Sequence, residues 1–98
     1  MTVLYTVDAE QDLTGIALYI AEDNPDRALS FVEEIRLQCR KLSDLSIKVQ
    51  LVPEYGHGIR RFPFGNYNIF YTNREEQVII VRVLAAKLEP EMIDVSDL

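Results

Sequence analysis

The 98-residue sequence predicts an α+β fold: an N-terminal strand, an antiparallel helix hairpin, then a three-stranded antiparallel meander, with the helices packed on one sheet. Three observations carry this. Apolar residues recur at helical spacing in two blocks between residues 8 and 42. Both blocks have helix-start signals, and only a few residues separate them. From residue 59 the period changes, and β-branched and aromatic runs alternate with short turn segments rich in Gly, Pro and Asn.

The elements follow in order. Residues 2–7 (TVLYTV) are β-branched and aromatic and read as a strand. Asp8 is placed to cap a helix, with Gln11 three residues on as its capping-box partner. Ala9, Leu13, Ile16, Ala17 and Ile20 then form one apolar stripe. Gly15 interrupts this run at a cost of about 1 kcal/mol relative to Ala and leaves room for a close neighbour. Asn24 caps a second helix, and Pro25 sits at its first position, where the missing N–H costs nothing. Its buried stripe is Ala28, Phe31, Val32, Ile35, Cys39 and Leu42. The short link makes the helices antiparallel.

Residues 43–53 read as a loop. Gly56 and Gly58 bracket His57 ahead of a strand over 59–62. Pro63 and Gly65 mark a turn, 66–72 form the next strand, and 73–76 the next turn. Residues 77–84 are nearly all apolar, the pattern of a strand covered on both faces.

Composition sets bounds on function. One domain spans 1–98, with 48% apolar residues and room for a single core. No apolar run is long enough to cross a membrane, and MTVLYTVDAEQD lacks the basic start of a signal peptide. The single Cys39 falls on the apolar stripe and reads as a buried thiol, which fits a reducing cytoplasm. The net charge of −6 is segregated. Residues 1–34 hold eight acids and one base, 35–87 hold nine bases and four acids, and 88–98 hold four acids and no base. An acidic whole argues against general nucleic-acid binding. The basic middle fits an acidic protein partner as well as it fits a phosphate.

Signals for catalysis are sparse. One histidine cannot form a metal pair, and GHG at 56–58 is too short for a phosphate loop and precedes a strand. His57 reads as a loop residue, and Tyr67, Phe70 and Tyr71 read as core rather than as a base-stacking platform. The candidate binding residues are Arg60, Arg61 and Arg82, cations within strand-like runs, where a charge must reach solvent, pair, or meet a partner. Arg82 shares its expected strand face with Val78, Ile80 and Leu84. It either pairs with an acid of the helices, such as Glu10 or Asp12, or opens a basic groove for another chain.

Several words of the sequence, in this order and spacing, resemble the ParE branch of the ParE/RelE toxins of type II toxin–antitoxin systems: DLTGIALYIAEDNPDRALSF (12–31), IRLQCRKL (35–42), PEYGHGIRRF (53–62), GNYNIFY (65–71) and VIIVRVL (78–84). The resemblance runs from about residue 3 to residue 88. It implies a cytoplasmic toxin that inhibits DNA gyrase by binding and uses no cofactor or metal. It also implies neutralisation by a cognate ParD-like antitoxin, through which alone the pair reaches operator DNA. The related RelE-like members cleave mRNA on the ribosome. Their basic positions are poorly filled here, by Asn68 and by Lys87, which keeps charge but lacks the arginine fork. ParE-like chains usually follow the last strand with His-Gly-Ala-Arg, whereas this one has Ala85-Ala86-Lys87-Leu88 and an acidic tail. A third reading is a non-toxic module that keeps only the antitoxin-binding and operon-regulating roles. Lys87 joins the three arginines as a candidate for antitoxin or target binding.

Overall fold

A computed structural model describes residues 2–42 and 49–93. The elements are β1 (Thr2–Tyr5), α1 (Val7–Ala21), α2 (Pro25–Lys41), β2 (Gln50–Leu51), a 3-10 turn (Pro53–Tyr55), β3 (Arg60–Phe64), β4 (Tyr67–Arg74) and β5 (Gln77–Ala85). They form one five-stranded sheet of order β1-β5-β4-β3-β2. β1 runs parallel to β5, with Tyr5 opposite Ile80, and every other pair is antiparallel. The expected α+β arrangement is present: the expected N-terminal strand joins the meander beside β5, and β2, read in the sequence as loop, adds at the other edge.

Local chemistry explains where the elements begin and end. The cap of α1 is Thr6 rather than the expected Asp8, and β1 stops at Tyr5. The Thr6 hydroxyl accepts from the Ala9 N–H at 3.1 Å and donates to the Val81 carbonyl at 3.0 Å. One side chain therefore starts the helix and ties it to β5, an advantage that Asp8, already exposed in the first turn, does not have. Asn24 caps α2 as expected, accepting from the Arg27 N–H at 3.0 Å. Within the expected 43–53 loop, residues 43–48 lie outside the described residues; beyond them Gln50–Leu51 pairs with Arg61 and Arg60 as β2. The expected turn at Pro63 is instead strand, with Pro63 opposite Asn68 in β4. Glu75 takes φ 55° in the hairpin between β4 and β5.

The core lies on both sides of β5. Ile69, Tyr71, Val78, Ile80 and Val83 face the helices, against Ala9, Leu13, Ile16, Ile35, Cys39 and Leu42. Val52, Ile59, Phe70, Ile79 and Val81 form a second cluster on the other face. The register slips by one residue between Phe70↔Arg82 and Tyr71↔Ile80, a bulge that adds Val81 to β5. The bulge corrects the expected face of Arg82, which sits opposite Phe70 and away from Val78 and Ile80.

Two contacts fasten the helices. Arg36 of α2 reaches Glu10 of α1 at 3.1 and 3.3 Å and lies 4.7 Å from the Tyr5 ring centroid. Burial, reinforced by the neighbouring Cys39, pushes the Tyr5 hydroxyl up to about 12. Burial likewise raises the Cys39 thiol. The second contact is a clamp beyond the end of β1. The Asp12 carboxylate accepts from Arg82 Nε at 2.7 Å, from Arg82 Nη2 at 2.9 Å and from the Val83 N–H at 2.9 Å.

Both contacts carry predictions. Asp12→Ala strands a half-buried guanidinium and a backbone N–H, and should cost roughly 2–4 kcal/mol in urea unfolding. Arg82→Ala should cost less, because Val83 still satisfies the carboxylate. Arg27→Ala should leave the urea midpoint nearly unchanged, since its pair with Glu34 is exposed on both sides. Tyr5 and Cys39 both hold their protons more tightly folded than unfolded. Their contribution to stability is therefore intact at pH 8 and is lost as the pH rises through the unfolded values near 9 and 10 toward 12. The urea midpoint should fall between pH 8 and 11, and less steeply in Tyr5→Phe.

Candidate functional site

The four candidate cations do not converge. Arg60 faces the helix side opposite Tyr71, and its Nη1 donates to the Val49 carbonyl at 2.7 Å. Arg61 lies on the other face opposite Phe70, and its Nη2 donates to Gln50 Oε1 at 2.9 Å. Arg82 is held by Asp12, the helix-acid pairing that the sequence left open against a free basic groove. Lys87 is exposed in the turn after β5. Arg60 and Arg61 thus pin β2 to β3, and Arg82 pins α1 to β5.

One row does form. Arg61, Phe70 and Arg82 are in register across β3, β4 and β5 on the helix-free face. At a strand spacing of about 4.8 Å, the two arginine backbones stand roughly 10 Å apart with a phenyl ring between them. Phe70 is buried, and Tyr55 meets it edge-on at 5.8 Å between centroids. Burial, together with the nearby Glu89, raises the Tyr55 hydroxyl.

The helix side holds a cleft of about 770 Å³ between α1 and the end of β5. Its walls include Gly15, Ile16, Tyr19, Tyr67, Ala86 and Leu88, and Lys87 stands on the rim. Tyr19 is 71% exposed and Leu88 51%. Among the described residues outside its own helical turn, no atom lies within 4 Å of a Cβ placed on Gly15, so that glycine deepens the cleft instead of admitting a close neighbour. Sequence reasoning missed this surface. The available signal was Leu18-Tyr19, two large apolar residues that fall outside the stripe of α1 and stay in solvent.

The remaining motifs settle simply. His57 is exposed in a turn. Phe70 and Tyr71 are core, as expected. Asn68 is buried on the helix-free face between Pro63 and Leu84. Cys39 is fully buried.

Comparison with known proteins agrees with this arrangement. None of the curated proteins matches the chain in sequence. Among solved structures, the chromosomal ParDE system of P. aeruginosa superposes with a TM-score of 0.73 at 21% identity, covering 89% of this chain and 97% of that one. The RelB–RelE antitoxin–toxin complex of Methanococcus jannaschii gives 0.53 at 22% identity, covering 86% and 91%. A conserved hypothetical protein of Helicobacter pylori gives 0.59 at 15% identity, covering 87% and 93%. These likenesses establish a shared fold. The family model for the ParE toxin of the type II toxin–antitoxin system parDE matches residues 3–88. With that match over nearly its whole length, the chain belongs to the ParE toxin family of type II toxin–antitoxin systems.

Proposed function

We propose that this chain, when free, acts on DNA gyrase in the cytoplasm by binding rather than by catalysis, and that a ParD-like antitoxin neutralises it. The observation that carries this reading is the family match over residues 3–88. The geometry supports a binding mode of action. In-line RNA cleavage needs groups that move protons and stabilise charge around one phosphate. Here Arg60, Arg61 and Arg82 each have a structural partner, and they lie on different faces or about two strands apart.

The antitoxin contact is assigned to the α1–β5 cleft. Its apolar wall of Ile16, Tyr19 and Leu88 suits one face of an amphipathic segment, and Lys87 on the rim suits a carboxylate of that segment. Arg82 contributes by holding the cleft open through Asp12, not by direct contact. Tyr19 is the natural anchor, because a large exposed aromatic gives much contact area for few frozen torsions.

Two measurements test the reading. Expression without a partner should arrest growth, giving filamentous cells and an induced DNA-damage response, and purified protein should block supercoiling by gyrase. Normal supercoiling together with codon-specific mRNA cleavage that vanishes in Lys87→Ala would establish a RelE-like ribonuclease instead; normal growth at high soluble expression would favour the binding-only module. Titration calorimetry with the cognate antitoxin should show Tyr19→Asp weakening the complex at least tenfold, about 1.4 kcal/mol, with an unchanged urea midpoint.

A further inference from the structure

The helix-free face of the sheet is covered by the chain's own C-terminal segment. After β5 the backbone turns, with the Leu88 N–H donating to the Ala85 carbonyl at 2.9 Å. Residues 89–93 (EPEMI) then return over the face. Pro90 is buried. Ile93 packs against the cluster of Val52, Ile59, Phe70, Ile79 and Val81, and its N–H donates to the Tyr55 carbonyl at 2.7 Å. Gly56 is shaped to this contact. It holds φ +148°, and a Cβ there would stand 2.6 Å from the Ile93 carbonyl oxygen, a distance no side chain tolerates.

The segment is complementary in charge as well as in shape. Glu91 shares a pocket of about 360 Å³ with Arg82, Met92 and Ile93. Glu89 neighbours Tyr55, beside Arg61. Glu91 and Glu89 therefore stand toward the Arg82 and Arg61 ends of the row, beside the Asp12 that already pairs with Arg82, and Ile93 packs on the apolar cluster behind it. The family match stops at residue 88, so this strap lies beyond the family's common core, whereas Gly56, which admits it, lies within that core.

We propose that the helix-free face is a binding surface for an acidic, extended polypeptide segment with an aliphatic anchor, and that residues 89–93 occupy it in cis until such a segment displaces them. The occupant's chemistry is read from the strap itself. Proline before the second acid favours an extended backbone at Glu89. The carboxylates answer two arginines, and the anchor is a β-branched aliphatic. Covered in this way, Phe70 and its neighbours do not form an exposed apolar patch. A tethered segment competes at an effective concentration of the order of millimolar, so a ligand in trans sees little of the closed face. The site is separate from the α1–β5 cleft, and its test does not depend on gyrase or on the antitoxin.

The experiment uses the full chain and a fluorescein-labelled peptide of its own residues 86–98, followed by anisotropy. Ile93→Asp places a carboxylate in the apolar pocket and should release the strap. This variant should bind the peptide at least tenfold more tightly than the unaltered chain, and binding should weaken as salt is raised. Adding Gly56→Ala should abolish it, because the new Cβ takes the place of the anchor's carbonyl oxygen. In the unaltered, isotope-labelled chain, millimolar peptide should speed hydrogen exchange at the Ile93 amide, which needs no substitution to be read. Equal peptide affinity for both chains, or unchanged Ile93 exchange, would overturn the proposal. Tighter binding of a single-stranded oligonucleotide than of the peptide by Ile93→Asp would overturn the assignment to a polypeptide.

Discussion

The carboxylate of Asp12 is the point on which the arrangement turns. β1 covers β5 only as far as Ile80, so the rest of β5 would otherwise present a bare edge. α1 begins there, and its first turns take over the role of a strand. Thr6 accepts from Ala9 and donates to the Val81 carbonyl, while Asp12 accepts from the Val83 N–H and from two nitrogens of Arg82. Charge-assisted hydrogen bonds in a half-buried setting contribute about 1.5–3 kcal/mol each, and these three act on one group. They fix where α1 crosses the sheet, and so place Gly15, Ile16 and Tyr19 opposite Ala85–Leu88 as a cleft. The bulge belongs to the same device. In a strand without the bulge, Arg82 would share the helix face with Val78 and Ile80, and Val83 would face the other way.

What the sequence made legible follows from the range of the forces involved. Both helices, the cap at Asn24 and the three meander strands rest on local chemistry and period, and they stand where expected within a residue or two. The misses are long-range. Thr6 displaces Asp8 as cap only because Val81, 75 residues away, accepts its proton. β2 is two residues long and exists because Arg60 and Arg61 find a backbone to pair with. The bulge is invisible to a period-2 reading, which therefore put Arg82 on the wrong face. Its partner was legible, since Asp12 was one of two acids named for it. The cleft was not, because an apolar surface left bare shows only as residues that fail to fit a stripe.

The two faces of the sheet are closed by different means and with different strength. Against the helices, eleven buried residues among those described interlock, and opening that face means unfolding. Among the described residues, the other face is closed at its exposed end by Ile93, the buried Pro90 and the backbone hydrogen bond from the Ile93 N–H. Terminal segments of this kind open locally without disturbing the rest of the domain.

The segregated charge of the chain acquires a physical meaning in the fold. The acidic N-terminal third and the basic middle are joined to each other within the fold. Arg36 meets Glu10 and Arg82 meets Asp12, so two of the basic residues are spent joining the acidic helix α1 to the rest of the molecule. Arg60 and Arg61 hold β2 against β3 through hydrogen bonds to an uncharged carbonyl and an uncharged amide, and these leave their charge uncompensated by those partners. The acidic strap then brings Glu91 to Arg82 and Glu89 to the Tyr55 side. A surface built to hold a nucleic-acid backbone gains affinity from every phosphate that a cation neutralises, and so keeps its cations in a continuous open track. Here Arg60, Arg61 and Arg82 each have a partner within the fold and lie on different faces or two strands apart, so the three do not form such a track.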